Sequence, residues 1–319
     1  VSALLVPTAS EAEWLAARDN GITASEIAVV MGLSPYESPF ALYHRKRGDL
    51  ERAGDNVEMR VGRHFESLVC EMFAEQHPEF IVGGDGRSLY AHPGRPWQMA
   101  TPDRLVWERD NDRFWPAADF QNVPDAVAEA KTSATYDGWG EDGSDEIPVH
   151  YRCQALWQMD VMGVETAFIP CLFLHSRKLR VYEITMDADA RADLKLLREE
   201  AELFLERHLR PGREPDVDWR PATGEALKQL HSGLEDTDVT ISRTLERQYK
   251  AACAAAKKAE QRKSLAENRI RARLGDGRRA LGPDGQVVAT RQVYDVKEHV
   301  RKACTVNKLV PARTAKEAR

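Results

Sequence analysis

The sequence predicts an α/β fold in which a mixed central sheet is flanked by helices. Three observations carry this: a long amphipathic helix over Val57 to Gln76, a series of short strand-like segments between Phe80 and Lys131, and a strand pair between Thr166 and Ile184 with helical sequence on either side. Helices before, between and after the strands imply a sheet covered on its faces by helices.

In chain order, Glu11 to Arg18 reads as a short helix, and Thr23-Ala24-Ser25-Glu26 matches the capping-box pattern that opens another, running to about Met31. Gly32 and Ser34-Pro35 end that helix, and Pro39 to Lys46 resumes helical spacing around Phe40, Leu42 and Tyr43. In Val57 to Gln76 the apolar positions Val61, Phe65, Leu68, Val69, Met72 and Phe73 recur at three- and four-residue intervals, the signature of a core-facing stripe. Phe80-Ile81-Val82, Ser88-Leu89-Tyr90, Met99 to Trp107 and Ala126 to Lys131 read as strands of one sheet. Glu146 to Met162 is helical. Thr166 to Leu174 and Leu179 to Ile184 are strands joined by a turn, and Asp187 to Leu209 is another helix. Three prolines and a glycine between Arg210 and Pro221 mark a boundary. The organisation expected is a core over residues 1–210, a linker over 211–221, and a helical, basic region over 222–319. In that last region Ile241 to Leu274 forms a long solvated helix or helical hairpin, and Gly-Pro-Asp-Gly after Leu281 makes a short β-hairpin.

A chain of 319 residues can bury one substantial core and still carry an appendage. With 30% charged residues it has no apolar run near the roughly 20 residues of a membrane helix. Val1 to Pro7 lacks the parts of a secretion signal, so a cytoplasmic protein with no membrane partner is expected. Cys70, Cys153, Cys171, Cys253 and Cys304 lie far apart without metal-ligand spacing, which points to reduced thiols and against an iron–sulfur cluster. The net charge of −6 hides an asymmetry: Ile241 to Arg319 holds 20 Lys/Arg against 8 Asp/Glu, a surplus of +12, so the preceding residues carry −18. A basic tail is either a nucleic-acid footprint or a solvated helix face. An acidic body is compatible with DNA where carboxylates gather around bound cations.

The chemistry concentrates in Pro102-Asp103 and Glu129-Ala130-Lys131. Phosphodiester hydrolysis needs a cation to neutralise the phosphate, a nucleophilic water and a proton for the leaving oxygen. Asp103 at the end of one strand and Glu129 on its neighbour are hard oxygen ligands suited to Mg²⁺ or Mn²⁺. Side chains repeat every two residues along a strand, so Lys131 points to the same face as Glu129. There it can orient the attacking water and stabilise developing charge. Glu-x-Lys alone is a weak signal, and a salt-bridging pair on a strand edge is its plain alternative. Near the front, a helix capped at Thr23 offers backbone N–H groups to a phosphate, with Ser25 adding a hydroxyl and Arg18 a guanidinium. The plain alternative is that Thr23 and Glu26 merely cap a helix and Arg18 pairs with an acid. His64, His77, His92 and His150 lack zinc spacing and read as surface or packing residues. Trp97, Trp107, Trp115, Trp139 and Trp157 read mostly as packing, with Trp139, in a Gly-rich loop, also a candidate to stack on a base.

Five ordered blocks together resemble the PD-(D/E)xK nuclease superfamily, and more closely the YqaJ-type viral recombinase and phage lambda exonuclease family. They are Arg18 with Gly21-Ile22-Thr23-Ala24-Ser25-Glu26, then Gly62-Arg63-His64-Phe65-Glu66, Thr101-Pro102-Asp103, Glu129-Ala130-Lys131, and Tyr151-Arg152-Cys153-Gln154 leading to Val161-Met162-Gly163. The resemblance covers about Trp14 to Ile184. It implies a restriction-endonuclease-like core in which Glu66, Asp103, Glu129 and the carbonyl of Ala130 shape a Mg²⁺ site, Lys131 serves the water and Gln154 lies near the centre. Where relatives often carry a second glutamine this chain has Leu156, with Gln158 one turn beyond Gln154 as a substitute. The resemblance further implies that Arg18, Thr23 and Ser25 hold a 5′-terminal phosphate. It also implies 5′-to-3′ digestion of one strand of linear duplex DNA to leave 3′ single strands, a phage or prophage origin, a ring-shaped homotrimer, and a single-strand annealing protein as partner. The alternatives are an endonuclease of the same superfamily and a non-catalytic protein that binds DNA ends.

Overall fold

The computed structural model describes residues 3–51, 57–109 and 123–293. Trp115, Cys304 and the basic residues after Val293 lie outside the described residues. The chain divides into two compact units, Val1–His231 and Ser232–Arg319.

The first unit contains, in order, β1 (Leu4–Leu5), α1 (Glu11–Asp19), β2 (Ile22–Thr23), α2 (Ala24–Val30), α3 (Pro39–Lys46), α4 (Val57–Gln76), β3 (Phe80–Gly83), β4 (Tyr90–His92), β5 (Arg95–Ala100), β6 (Arg104–Glu108), β7 (Ala126–Ala128), β8 (Lys131–Ser133), α5 (Val149–Met162), β9 (Thr166–Phe173), β10 (Lys178–Thr185), α6 (Ala188–Phe204) and α7 (Pro221–Leu230). Its main sheet runs β10-β9-β7-β6-β3, with β8 also on β9. The β7–β9 and β8–β9 pairs are parallel and the others antiparallel, so the sheet is mixed as expected.

Alternation along its strands sends side chains to two different cores. Val106, Ala126, Ala128, Phe168, Leu172, Leu179 and Val181 pack with Val69 and Phe73 of α4. Their neighbours Trp107, Val127, Ile169, Cys171, Phe173, Tyr182 and Ile184 pack on the opposite face with Trp157 of α5 and Leu194 and Leu197 of α6. Both faces are therefore covered, as the fold class requires.

Two expected strands are each broken in two. Met99 to Trp107 is interrupted at Thr101-Pro102-Asp103. Before the break β5 lies in a second sheet, ordered β1-β4-β5-β2, and after it β6 lies in the main sheet. The strands between Phe80 and Lys131 thus belong to two sheets rather than one, and the break places Asp103 where they part. Ala126 to Lys131 is interrupted at Glu129-Ala130. The register carries through, with Ala128 opposite Phe168 and Lys131 opposite Cys171. Pro170 falls within the gap and has no N–H to give the ladder. Gly21 answers a different constraint: a Cβ there would lie 2.2 Å from the carbonyl oxygen of Trp97, so only glycine lets β2 pair with β5.

The expected boundary at 211–221 is corrected. Helix α7 belongs to the first unit, which ends at His231. Ala226 is buried against Phe40 and Ala41 of α3, and the Thr223 hydroxyl donates to Ser38 Oγ at 2.7 Å. In the second unit, α8 (Arg243–Leu274) is capped by Ser242 and has no buried residue. It is followed by the expected hairpin of β11 (Arg279–Leu281) and β12 (Val287–Thr290). Among the described residues no helix is long and apolar enough to cross a membrane. Cys70, Cys153, Cys171 and Cys253 are free thiols.

Asp160 ties the layers of the first unit together. Its carboxylate accepts from Gln98 Nε2 at 2.6 Å and Arg95 Nη2 at 2.9 Å on β5, and from Arg198 Nε at 2.8 Å and Arg198 Nη2 on α6. Burial pushes its pKa up, but hydrogen bonds from Arg198 and Gln98 and the nearby guanidinium charges outweigh this and hold it below the ordinary 3.8. Asp160→Asn leaves two half-buried guanidiniums without their shared counter-charge and is expected to cost about 1–3 kcal/mol near neutrality, read as a lower Tm. Because the folded-state pKa is depressed, the contribution is complete above the ordinary aspartate value and is lost as pH falls through the folded one. The Tm gap between variant and parent should narrow only below about pH 4, and equal melting at neutral pH would show that the network adds nothing.

Candidate active site

The two strand breaks face each other. Asp103 leads into β6 and Glu129-Ala130 link β7 to β8, so the Ala130 N–H donates to Asp103 Oδ2 at 2.8 Å. The Glu129 N–H remains on the sheet, donating to the Phe168 carbonyl at 2.9 Å. The Glu129 side chain is only 6% exposed, and three donors meet it. Lys131 Nζ donates to Oε1 at 2.7 Å, Gln154 Nε2 to the same oxygen at 2.5 Å, and Gln158 Nε2 to Oε2 at 2.7 Å.

The two glutamines stand one turn apart on α5 and grip both carboxylate oxygens. Gln158, the expected substitute for a second glutamine, makes its own contact with Glu129, while Leu156 points into the core at 1% exposure. The intervening positions follow from the helical period: residues four apart share a face and a residue two along points away.

Electrostatics mark the cluster as short of positive charge. Asp103 is pushed well above the ordinary carboxylate range, chiefly by burial, then by the charges of Glu129 and Glu66, with Lys131 opposing. Burial works against the Lys131 ammonium, but Glu129 and Asp103 outweigh it and hold the pKa above the ordinary lysine value. Lys131 Nζ also lies 4.8 Å from the Tyr151 ring centre.

Glu66, on α4, stands off from the other two carboxylates. Its Oε1 lies 3.5 Å from Arg104 Nη1, and that same nitrogen donates to the Asp103 carbonyl at 2.5 Å. Gly86, at φ +66°, closes over this group: a Cβ there would lie 3.0 Å from Glu66 Oε1 and 3.2 Å from Arg104 Nη1. Among the described residues, no three His, Cys, Asp or Glu side chains gather in ligand geometry. The donors suited to a hard cation are the carboxylates of Asp103 and Glu129 and the carbonyl of Ala130. Two observations fit such an ion: the buried carboxylate of Glu129 and the half-buried one of Asp103 crowd each other, and Gln158 Oε1 is buried without a hydrogen-bond partner.

The structure also brings Arg18, Thr23 and Ser25 together. Arg18 Nη2 lies 3.2 Å from Ser25 Oγ and 3.5 Å from Thr23 Oγ1, and the two hydroxyls are 3.2 Å apart. Thr23 and Glu26 form the expected capping box, with Thr23 N donating to Glu26 Oε2 at 3.0 Å. Helix α2 has only seven residues, so its macrodipole is small, and the polar groups at its start are the Thr23 and Ser25 hydroxyls with the Arg18 guanidinium from α1. Sequence reading missed what Glu26 does besides capping. Arg45 Nη2 reaches its Oε1 at 3.0 Å and Lys46 Nζ its Oε2 at 2.8 Å. Burial raises the Glu26 pKa, but Lys46, Arg45 and Arg18 bring it down to about 2. Lys46 Nζ also donates to the Arg18 carbonyl at 2.9 Å. Arg45 and Lys46 are 19 and 20 residues from Glu26, and no local pattern flags the pairing. The adjacent cations near the end of an otherwise apolar helix were the one available sign.

Trp97, Trp107, Trp139 and Trp157 lie in or against the main core. Trp107 and Trp157 are fully buried, and Trp139 lies against Tyr151, Phe173 and Tyr182 at 5.1–5.8 Å. Trp139 is thus partly buried against the core.

Residues 13–165 match the YqaJ-like viral recombinase domain. The uncharacterized protein YqaJ of Bacillus subtilis (strain 168) is 26% identical over 234 residues, which are 71% of this chain and 65% of that protein. The chain therefore spans slightly less than two thirds of that relative's length. Among solved structures, the alkaline exonuclease LHK-Exo from Laribacter hongkongensis is similar at 21% identity, covering 61% of this chain and 91% of that one with a TM-score of 0.45. Its complex with dAMP covers 69% and 98% with a TM-score of 0.47. Arg18, Glu66, Asp103, Glu129, Lys131 and Gln154 all fall within residues 13–165, the stretch that is similar to the YqaJ-like viral recombinase domain.

Proposed function

We propose that this chain is a metal-dependent exonuclease that digests one strand of linear double-stranded DNA from the 5′ end and leaves a 3′ single strand for recombination. The observation that carries the reading is the convergence of Asp103, Glu129 and Lys131 at two facing strand breaks, with Gln154 and Gln158 fixing Glu129.

Asp103, Glu129 and the Ala130 carbonyl are the groups that would hold Mg²⁺, with Mn²⁺ able to substitute, and Glu66 shapes the same space from α4. When bound, the ion supplies neutralisation of the phosphate and a water acidic enough to attack at neutral pH. Lys131 is kept as an ammonium by its acidic neighbours and has no lone pair with which to take a proton. Its part is to donate hydrogen bonds to the attacking water and to the phosphate as negative charge builds there. Gln154 and Gln158 keep the Glu129 carboxylate from rotating. In the displacement, the water oxygen bonds to phosphorus, the bond from phosphorus to the departing 3′ oxygen breaks, and that oxygen takes up a proton.

Arg18, Thr23 and Ser25 receive the 5′-terminal phosphate, two hydroxyls and a guanidinium being suited to its oxygens. The same reading includes a ring-shaped homotrimer around the duplex, a single-strand annealing protein as partner, a phage or prophage source and a bacterial cytoplasmic location. Molar mass in solution tests the trimer.

An end-labelled duplex, with and without a 5′ phosphate, tests the rest. Digestion should need Mg²⁺ and stop on chelation, and a covalently closed circle should survive. Lys131→Ala should slow digestion by about 10²–10³-fold, the range for removing one preorganised donor from a transition state. Cleavage that continues in chelator would sink the metal mechanism.

For polarity, Arg18→Ala should raise KM for the 5′-phosphorylated end by about tenfold, the loss of one charge-assisted contact. It should also erase the preference for phosphorylated over unphosphorylated ends. A parent enzyme indifferent to the 5′ phosphate would remove the role given to this cluster.

A further inference from the structure

We infer that Tyr36 and His150 form a clamp for the base of the nucleotide beside the phosphate being cut, an inference that rests on the nuclease reading above. A chain of rings leads outward from Lys131. The Tyr151 ring lies 4.8 Å from Lys131 Nζ, the His150 ring is 4.0 Å from that of Tyr151, and the Tyr36 ring meets His150 edge-on at 5.6 Å and 85°. Tyr36 ends the series at 73% exposure, with most of its ring open to solvent.

Such a ring needs an explanation, because the backbone around it is pinned. Ser34 Oγ accepts from Tyr36 N at 3.1 Å, and the next residue, Glu37, is held by Arg45 Nε at 2.8 Å and Nη2 at 3.0 Å. A preorganised exposed aromatic is what stacking on a base requires, and stacking accepts any base since each has a π-face. The loop leaves the C-terminal end of α2, whose first turn carries Ser25 beside the Thr23 cap, so one short element links the hydroxyl and guanidinium cluster to the clamp.

His150 supplies the polar half. Its Nε2 is buried with no hydrogen-bond partner, an arrangement that costs free energy until a partner arrives. Burial, and then the Lys131 charge, hold its pKa below the ordinary 6.5, so the imidazole is neutral near pH 7. A neutral imidazole offers one donor and one acceptor, which suits a base edge or a sugar oxygen without drawing phosphate away from Lys131. With Tyr36 on the π-face and Nε2 at the edge, the terminal nucleotide is fixed relative to the scissile bond.

The test uses the full chain with Lys131→Ala, to silence digestion, and a 5′-phosphorylated duplex carrying 2-aminopurine at its terminal position, in buffer containing Ca²⁺. Binding should quench the 2-aminopurine fluorescence. Adding Tyr36→Ala or His150→Ala should weaken binding by about tenfold, within the range for one stacked base, and abolish most of the quench, whereas Tyr36→Phe should keep both. Thermal melts check that the variants fold; Tyr36 is exposed, so its variants remain informative if His150→Ala does not fold. Quenching by Tyr36→Ala equal to that of its parent would overturn the clamp. If the unmodified chain digests duplex ends with Mg²⁺, only the clamp has then failed; if it neither binds nor digests duplex DNA, the nuclease reading fails and takes the clamp with it.

Discussion

A carboxylate can be buried at tolerable cost only if its oxygens are met by donors or a counter-charge. Glu129 satisfies that condition with donors from two elements: Lys131 at the start of β8, and Gln154 and Gln158 from α5. The consequence is mechanical as well as electrostatic. Sheet and helix cannot shift relative to one another without stripping hydrogen bonds from a buried charge, so the position of the carboxylate is fixed by the packing of the whole unit.

Helix α5 then sets the geometry of both candidate clusters. Gln154 and Gln158 face Glu129, while Trp157, between them on the same helix, donates from Nε1 to the Ile22 carbonyl at 3.3 Å. Ile22 immediately precedes Thr23, and β2 is further held by its parallel pairing to β5. Asp160, one turn after Trp157, secures that same β5 and α6. The span between the carboxylates and the Arg18 cluster is thereby a property of one rigid helix and the strands tied to it, rather than of a loop.

Much of this was legible in the sequence where the controlling forces are local. The bounds of α3 and α4 follow from Pro39 at a helix start and from an unbroken apolar stripe, and the capping box at Thr23 is where the pattern puts it. The clustering of Asp103, Glu129, Lys131 and Gln154 was legible because few residue types suit a metal-binding, proton-handling site. What escaped depends on residues remote in the chain. Met99 to Trp107 is apolar enough for one strand, but its two halves have partners in different sheets, β4 and β2 for one and β3 and β7 for the other. The gap at Glu129-Ala130 reflects Pro170 on the neighbouring strand. The linker signal at Arg210 to Pro221 was real as irregular backbone, yet it does not divide units, because Ala226 finds its apolar partner in Phe40 of α3.

Glu26 shows why a motif can be right and still understate its residue. As a cap it needs only one oxygen, to accept from Thr23 N. Burial adds a demand that capping does not meet, and Arg45 and Lys46 answer it from α3, bringing the acid down to about 2. Those cations change what Arg18 can do. An arginine near a lone acid would be expected to pair with it, which was the plain reading of this region. Here the acid already has two other cations, one of which, Lys46, also holds the Arg18 backbone carbonyl. The Arg18 guanidinium lies against the Thr23 and Ser25 hydroxyls and 4.2 Å from the Trp14 ring centre. A buried ion pair that yields little stability by itself thus helps to hold Arg18, through its backbone carbonyl, beside Thr23 and Ser25.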